Sequence, residues 1–279
     1  MEPKGLPRFH GVPRLPNSLR FSIIDYLNAL PLNMAFKDGR YLDKAELMYD
    51  FPSQCADNLA SGRADVGLIS SIEYQRIPDL RIVPHICIAS RQEVRSVLLL
   101  TKKDLGDVKQ IALDRFSRSS VALLRILLHR RYNMRPHFVT MSPDATQMLA
   151  EADAALIIGD AALQLQEGDY QVIDLAREWF TETGLPFVFA FWTMRAAIAN
   201  ARVARLLLEA RDYGLARIPG RIEEIRARWP LDEEMILSYF RDNIHYELGE
   251  EEHKSLLRFY QYAFEARLIT DVLEPRYVS

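Results

Sequence analysis

The stretch Ile111-Ala-Leu-Asp114-Arg-Phe-Ser117-Arg118-Ser119-Ser120-Val-Ala-Leu-Leu124 carries three signals in order. An apolar run ends at an aspartate. A polar turn with three serines and two arginines follows, and then an apolar helical period begins. The order is strand, turn, helix. A helix start exposes backbone N–H groups and the positive end of the helix dipole. With serine hydroxyls and the Arg118 guanidinium beside it, such a turn suits a carboxylate or a phosphate. The competing reading is an ordinary helix cap, because serine is a favoured capping residue.

The same order recurs on either side. A strand over residues 21–25 leads through Asn28 into a helix over 31–37, with Pro31 at its first position and Gly39 past its end. A strand over 64–69 leads into Ser70 and Ser71, where Ser70 and Glu73 have the spacing of a capping box. A strand over 154–158 leads into Gly159 and Asp160. Further strands are expected at 47–51, 97–101, 110–113, 138–140 and 187–192. Helices are expected at 53–60, 119–132 and 146–151. After Arg195 only helices are read, at 196–212, 221–228, 232–242 and 250–265, with Gly214 closing the first. Alternating strands and helices define an α/β chain. In open α/β sheets ligands bind beyond the carboxyl ends of the strands. Four polar turns at such ends predict a cleft for a small anion, with two or three of the four reaching the ligand.

Bulk properties narrow the function further. The 279 residues are 49% hydrophobic and 26% charged, enough to bury a large core. A net charge of −3 provides no basic field for nucleic acid. Cys55 and Cys87 form no CxxC, and the six histidines show neither HxxxH nor HxH spacing, so no metal is expected. No apolar run reaches the length of a membrane span, and the first twenty residues lack the apolar core of a secretion signal. The expectation is a cytoplasmic protein, off the membrane, with residues 1–19 as a loosely held arm.

Several motifs resemble known families. Ser61-Gly-Arg-Ala-Asp65-Val-Gly67-Leu-Ile resembles the strand entry of type 2 periplasmic binding proteins. Tyr26-Leu-Asn28-Ala-Leu-Pro31-Leu32, Arg95-Ser96-Val-Leu-Leu-Leu, the Asp114 to Arg125 turn and helix, Ile158-Gly-Asp160 and Gly184-Leu-Pro186-Phe-Val-Phe-Ala-Phe-Trp192 resemble the chorismate dehydratases of the futalosine route to menaquinone. They occur in that family's order, from about Arg20 to the last helices. There are departures. Arg115 and Phe116 stand where the family has small hydroxyl residues, Ser119 where it has threonine, and Ser70 where it often has proline.

The resemblance implies a two-lobed type 2 periplasmic-binding-protein-like α/β fold, with a cleft between lobes joined by two crossover strands, 97–101 and 187–192. Residues 20–97 and 191–279 would form lobe one, and 98–190 lobe two. It implies a lyase acting on chorismate with Asn28 and Ser96 nearest the chemistry, and no cofactor. Ser70, Ser71, Ser117, Arg118, Ser119, Ser120 and Asp160 would bind the substrate, a small dicarboxylate, in a monomer or homodimer. Two other readings share the fold. One is a small-anion receptor or sensor, disfavoured by the absence of a secretion signal and of a DNA-binding helix pair. The other is the dihydroxynaphthoate synthase of the same route, whose Pro-Asn-Asp turn is replaced here by the Tyr26 to Leu32 segment. For Asn28 and Ser70 a helix cap competes with a ligand role, and for Ser96 a solvated strand hydroxyl does.

Overall fold

The computed structural model describes residues 19–41, 45–166 and 168–279. Apart from Leu19, the predicted N-terminal arm lies outside them. Among these residues, ten strands form two five-stranded sheets. The first runs β2 (Ala45–Asp50), β1 (Leu19–Ile24), β3 (Val66–Ser70), β10 (Phe187–Arg195), β4 (Leu80–Ser90). The second runs β7 (His137–Met141), β6 (Gln110–Asp114), β8 (Ala154–Ile158), β5 (Val97–Thr101), β9 (Gln171–Asp174). In each sheet four strands run the same way, and the one antiparallel strand, β10 or β5, lies between three of them and the edge strand β4 or β9. Central strands covered on both faces should read as unbroken apolar runs rather than alternations. That is what β3, β5 and β8 show, with every residue buried.

Helices α1 (Leu30–Lys37), α2 (Pro52–Ala60), α3 (Ser119–Arg130), α4 (Ala145–Glu151) and α5 (Asp160–Leu163) each follow a strand. α6 (Leu175–Thr183) precedes β10, and α7 (Ala201–Leu215), α8 (Ile222–Arg228), α9 (Glu233–Ser238) and α10 (Glu250–Glu265) complete the chain. The helix cap assigned to Gly214 is corrected. Gly214 lies inside α7, where a Cβ would come within 2.0 Å of the Pro31 carbonyl oxygen. It is glycine so that α7 can press against α1, the helix that Asn28 leads into.

Two regions escaped the sequence reading. β4 is interrupted by Pro84 and by His85 with φ of +62°, so its apolar pattern breaks in the middle. Proline is tolerated there because β4 is an edge strand. β9 is too short to show a period, although α6 after it carries ordinary end signals. The Asp174 carboxylate accepts from the N–H groups of Ala176 and Arg177, and Gly184 ends the helix at φ of +70°.

The crossings fall one step earlier than the strands assigned to them. β5 belongs wholly to the second sheet and β10 wholly to the first, with Phe187 already opposite Ser90. The chain crosses through residues 91–96 and through α6. Val97 therefore sits with the second lobe's sheet, and residues 187–190 with the first. Asp174 holds both crossings. One carboxylate oxygen caps α6, and the other accepts from the N–H groups of Val94 at 3.0 Å and Arg95 at 2.7 Å.

Candidate functional site

A cavity lies between the sheets. Ile24, Tyr26, Asn28, Pro52, Ser70, Ile88, Phe189 and Ala190 line it from the first lobe, and Ser117, Ser119, Ser120, Ile158 and Gly159 from the second. Val94, Ser96 and Val97 line it from the crossing. Three of the four polar turns contribute hydroxyl or amide groups. Among the described residues, none that lines the cavity is charged at neutral pH. An anion would be met by dipoles, hydroxyls and the start of α3, all fixed in place by the fold.

Asn28 sits in a single 3-10 turn, Leu27–Ala29, before α1. It does not cap the helix, because Ala29 occupies that position and no side chain caps it. The Asn28 backbone carbonyl accepts from Tyr246 Oη at 2.7 Å, while its buried side-chain Oδ1 has no partner among the described residues. Burying an unpaired amide oxygen costs roughly 1–3 kcal/mol, a cost that a ligand donor would remove.

Ser96 is not a solvated hydroxyl. It is fully buried, its Oγ accepts from Tyr239 Oη at 2.7 Å, and its carbonyl accepts from Gly159 N at 2.7 Å. Ser70 caps nothing either. Only a 3-10 turn, Ser71–Gln75, follows it, and the capping box is not formed. The Glu73 carboxylate is taken instead by Arg76 at 2.7 Å and Arg118 at 3.2 Å. At the start of α3 the cap position belongs to Arg118, with no side-chain cap bond, and Ser119 and Ser120 line the cavity. Ser119 Oγ also accepts from Ile72 N at 3.0 Å across the lobes.

Three expected substrate-binding residues lie outside the cavity lining. Ser71 donates to the Val188 carbonyl at 2.7 Å and meets Ser119 Oγ at 3.1 Å, which buries it completely. Arg118 spans the lobes to Glu73 and to Asp57, the latter at 2.9 Å. Two carboxylates distant in sequence have claimed the guanidinium that looked free for substrate. Asp160 accepts from Leu27 N at 2.8 Å and from Trp229 Nε1 at 2.6 Å, so it fastens lobe two to the turn carrying Asn28. Burial pushes its carboxyl above the ordinary range despite these donors. Arg115 and Phe116 do not line the cavity. Arg115 reaches Ser142 within lobe two, and Phe116 stacks on Phe51 of lobe one with ring centroids 4.0 Å apart.

Sequence reasoning missed Tyr26, Tyr239 and the character of Asp114. Tyr26 lines the cavity as a neutral phenol, its pKa raised by burial and then by the Asp114 and Asp160 carboxylates. Asp114 ends β6. Its Oδ1 accepts from Phe116 N at 2.8 Å, and its buried Oδ2 has no partner among the described residues. Burial pushes the carboxyl up to about 6. Between about pH 4 and pH 6 the folded state therefore holds a proton that the unfolded chain has released. This stabilisation is complete at low pH and is lost as pH rises through 6. Asn fits the same space without the charge, so Asp114→Asn is expected to gain on the order of 2–3 kcal/mol at pH 7.5 and almost nothing at pH 4. Urea denaturation at both pH values measures the gap, and a gap independent of pH contradicts the assignment.

Among the described residues, no group of three or more His, Cys, Asp or Glu side chains is gathered as a metal site, and no helix is long and apolar enough to cross a membrane.

The architecture is that of two-lobed, periplasmic-binding-protein-like chains. Protein AF1704 from Archaeoglobus fulgidus superposes with a TM-score of 0.75 at 18% identity, over 90% of this chain and 98% of that one. The periplasmic aliphatic sulphonate binding protein SsuA from Escherichia coli gives 0.67 at 17% identity, over 95% and 94%. Sequence comparison narrows the class. The family model for menaquinone biosynthesis matches residues 19–265, and the chain belongs to that family. It is 30% identical to the chorismate dehydratase of Thermus thermophilus, over 84% of this chain and 91% of the relative. It is 29% identical to the chorismate dehydratase of Campylobacter jejuni, over 86% and 95%.

Proposed function

We propose that this cavity dehydrates chorismate to 3-[(1-carboxyvinyl)oxy]benzoate, as a carbon–oxygen lyase. The observation that carries the reading is the uncharged cavity in which Asn28, Ser96 and the serines at the start of α3 converge, together with membership of the family. The proton leaves the ring carbon bearing the enolpyruvyl ether, the hydroxyl leaves the neighbouring carbon, and the electron pair completes the aromatic ring. Aromatisation supplies the driving force, so the protein has to orient the substrate and stabilise the departing group.

The Asn28 amide faces the leaving hydroxyl, Ser96 holds the enolpyruvyl carboxylate, and Ser70, Ser117 and Ser120 hold the ring carboxylate, with Ser119, whose proton goes to Ser71 Oγ, fixing the start of α3 beside them. Among the described residues, no carboxylate, imidazole or amine lines the cavity. The proton acceptor in this reading is therefore the substrate's own enolpyruvyl carboxylate. Fixed dipoles and correct positioning together lower such a barrier by several kcal/mol.

The pure protein incubated with chorismate is expected to form the aromatic product with or without a metal chelator. Tight binding without turnover would favour a receptor instead. Activity abolished by chelator and restored by a divalent ion would overturn the cofactor-free reading. A double Ser119→Ala, Ser120→Ala variant tests the carboxylate role. Because neither serine caps α3, KM is expected to rise about tenfold or more, on the scale of one or two lost charge-assisted hydrogen bonds. An unchanged KM in the folded variant removes the serines from the substrate site.

A further inference from the structure

After α9 the backbone widens into a π-turn, Tyr239–Asn243. Such turns are rare and recur at functional sites. Tyr239 is almost fully buried, and its Oη donates to Ser96 Oγ at 2.7 Å. It is not among the residues lining the cavity, whereas Ser96 is. A serine hydroxyl has one proton to donate and two lone pairs. With one lone pair occupied by the tyrosine proton, the serine proton is left for another acceptor. Ser96 becomes a donor in a fixed orientation, which is what a carboxylate or a departing oxygen requires. Burial holds the tyrosine neutral, so it keeps its proton for this task.

We propose that Tyr239 is a positioning residue that turns the Ser96 hydroxyl into a committed donor toward the anionic substrate, acting through Ser96 without touching the substrate itself. This rests on the role given to Ser96 above. The partner for a residue at the first crossing is thus supplied from near the C-terminus, 143 residues away in sequence.

The test is a cycle of four proteins: parent, Tyr239→Phe, Ser96→Ala and the double variant. Each is assayed for kcat and KM on chorismate and for Kd of the product 3-[(1-carboxyvinyl)oxy]benzoate. Tyr239→Phe keeps the ring and is expected to lower kcat/KM and weaken product binding, each by about tenfold, as for one oriented hydrogen bond. In the Ser96→Ala background the same change is expected to alter both by less than about twofold.

Tyr260→Phe is the control for a lost buried hydroxyl, since Tyr260 Oη donates to the Ser71 carbonyl at 2.9 Å, outside the cavity lining. It is expected to lose stability and keep parental kinetics. A measurement on the parent protein needs no variant. The Tyr239 hydroxyl proton should appear as a slowly exchanging NMR signal with a cross-peak to the Ser96 side chain, and its absence overturns the proposal. If Ser96→Ala is impaired but Tyr239→Phe is parental, or equally damaging in both backgrounds, Tyr239 does not act through Ser96. If Ser96→Ala itself behaves as the parent, the assignment of Ser96 fails and the Tyr239 proposal falls with it.

Discussion

Asn28→Asp is expected to fold like the parent protein and to lose at least about a thousandfold in kcat/KM on chorismate. The two side chains have the same shape. Asn28 caps no helix, so its replacement removes no backbone bond. The variant trades the amide for a carboxylate in a cavity whose lining, among the described residues, holds no cation. A third negative charge, beside a dicarboxylate substrate, is uncompensated there and costs several kcal/mol. Loss of the amide donor adds on the order of a hundredfold in kcat. Asn28→Ala isolates that second contribution, with near-parental stability and a roughly hundredfold lower kcat. A folded Asn28→Asp protein with parental kinetics would mean that the chemistry happens elsewhere.

Gly159→Ala is expected to lower both stability and turnover. Gly159 has φ of +62° and ψ of −139°, where an alanine is strained by roughly 1–3 kcal/mol. Its N–H also donates to the Ser96 carbonyl, and an added Cβ would come within 2.9 Å of the Tyr26 ring. Both neighbours line the cavity. A displacement of about 1 Å at such groups costs on the order of a hundredfold in rate. Gly184→Ala separates strain from displacement. Gly184 has φ of +70° but nothing within 4 Å of an added Cβ. It should lose stability with kinetics unchanged. Equal kinetic losses in the two variants would mean that strain alone, and not the approach to Tyr26 and Ser96, limits turnover.

The parts of the site legible in the sequence are those in which strand, turn and helix follow one another directly. Asn28, Ser70, Ser117, Ser119 and Ser120, which line the cavity, stood out because a polar turn between two apolar periods can be seen locally. Their competing role as helix caps was open from sequence alone. It is resolved by backbone positions, since Ala29 and Arg118 take the cap places in α1 and α3.

The differences between expectation and structure share a cause, namely partners far away in the chain. Arg118 looked like an anion ligand because Asp57 and Glu73 lie 61 and 45 residues earlier. Asp160 looked like a site residue because Trp229 lies 69 residues later. The Ser70–Glu73 spacing fitted a capping box, but Glu73 serves two arginines. The edge strand β4 stayed invisible because Pro84 and His85 interrupt its period. The C-terminal helices were expected to pack on the first lobe, but nothing in their periodicity announced that Tyr239 and Tyr246 would hold Ser96 and Asn28.

The central claim is that an uncharged cavity of dipoles dehydrates chorismate. Mixing the purified protein with chorismate and following the reaction by NMR and mass spectrometry tests it most directly. The account predicts stoichiometric loss of one water per chorismate, new aromatic ring protons and an intact enolpyruvyl group in the product. Chorismate recovered unchanged from a folded protein, or a product that has lost the enolpyruvyl group, would contradict it.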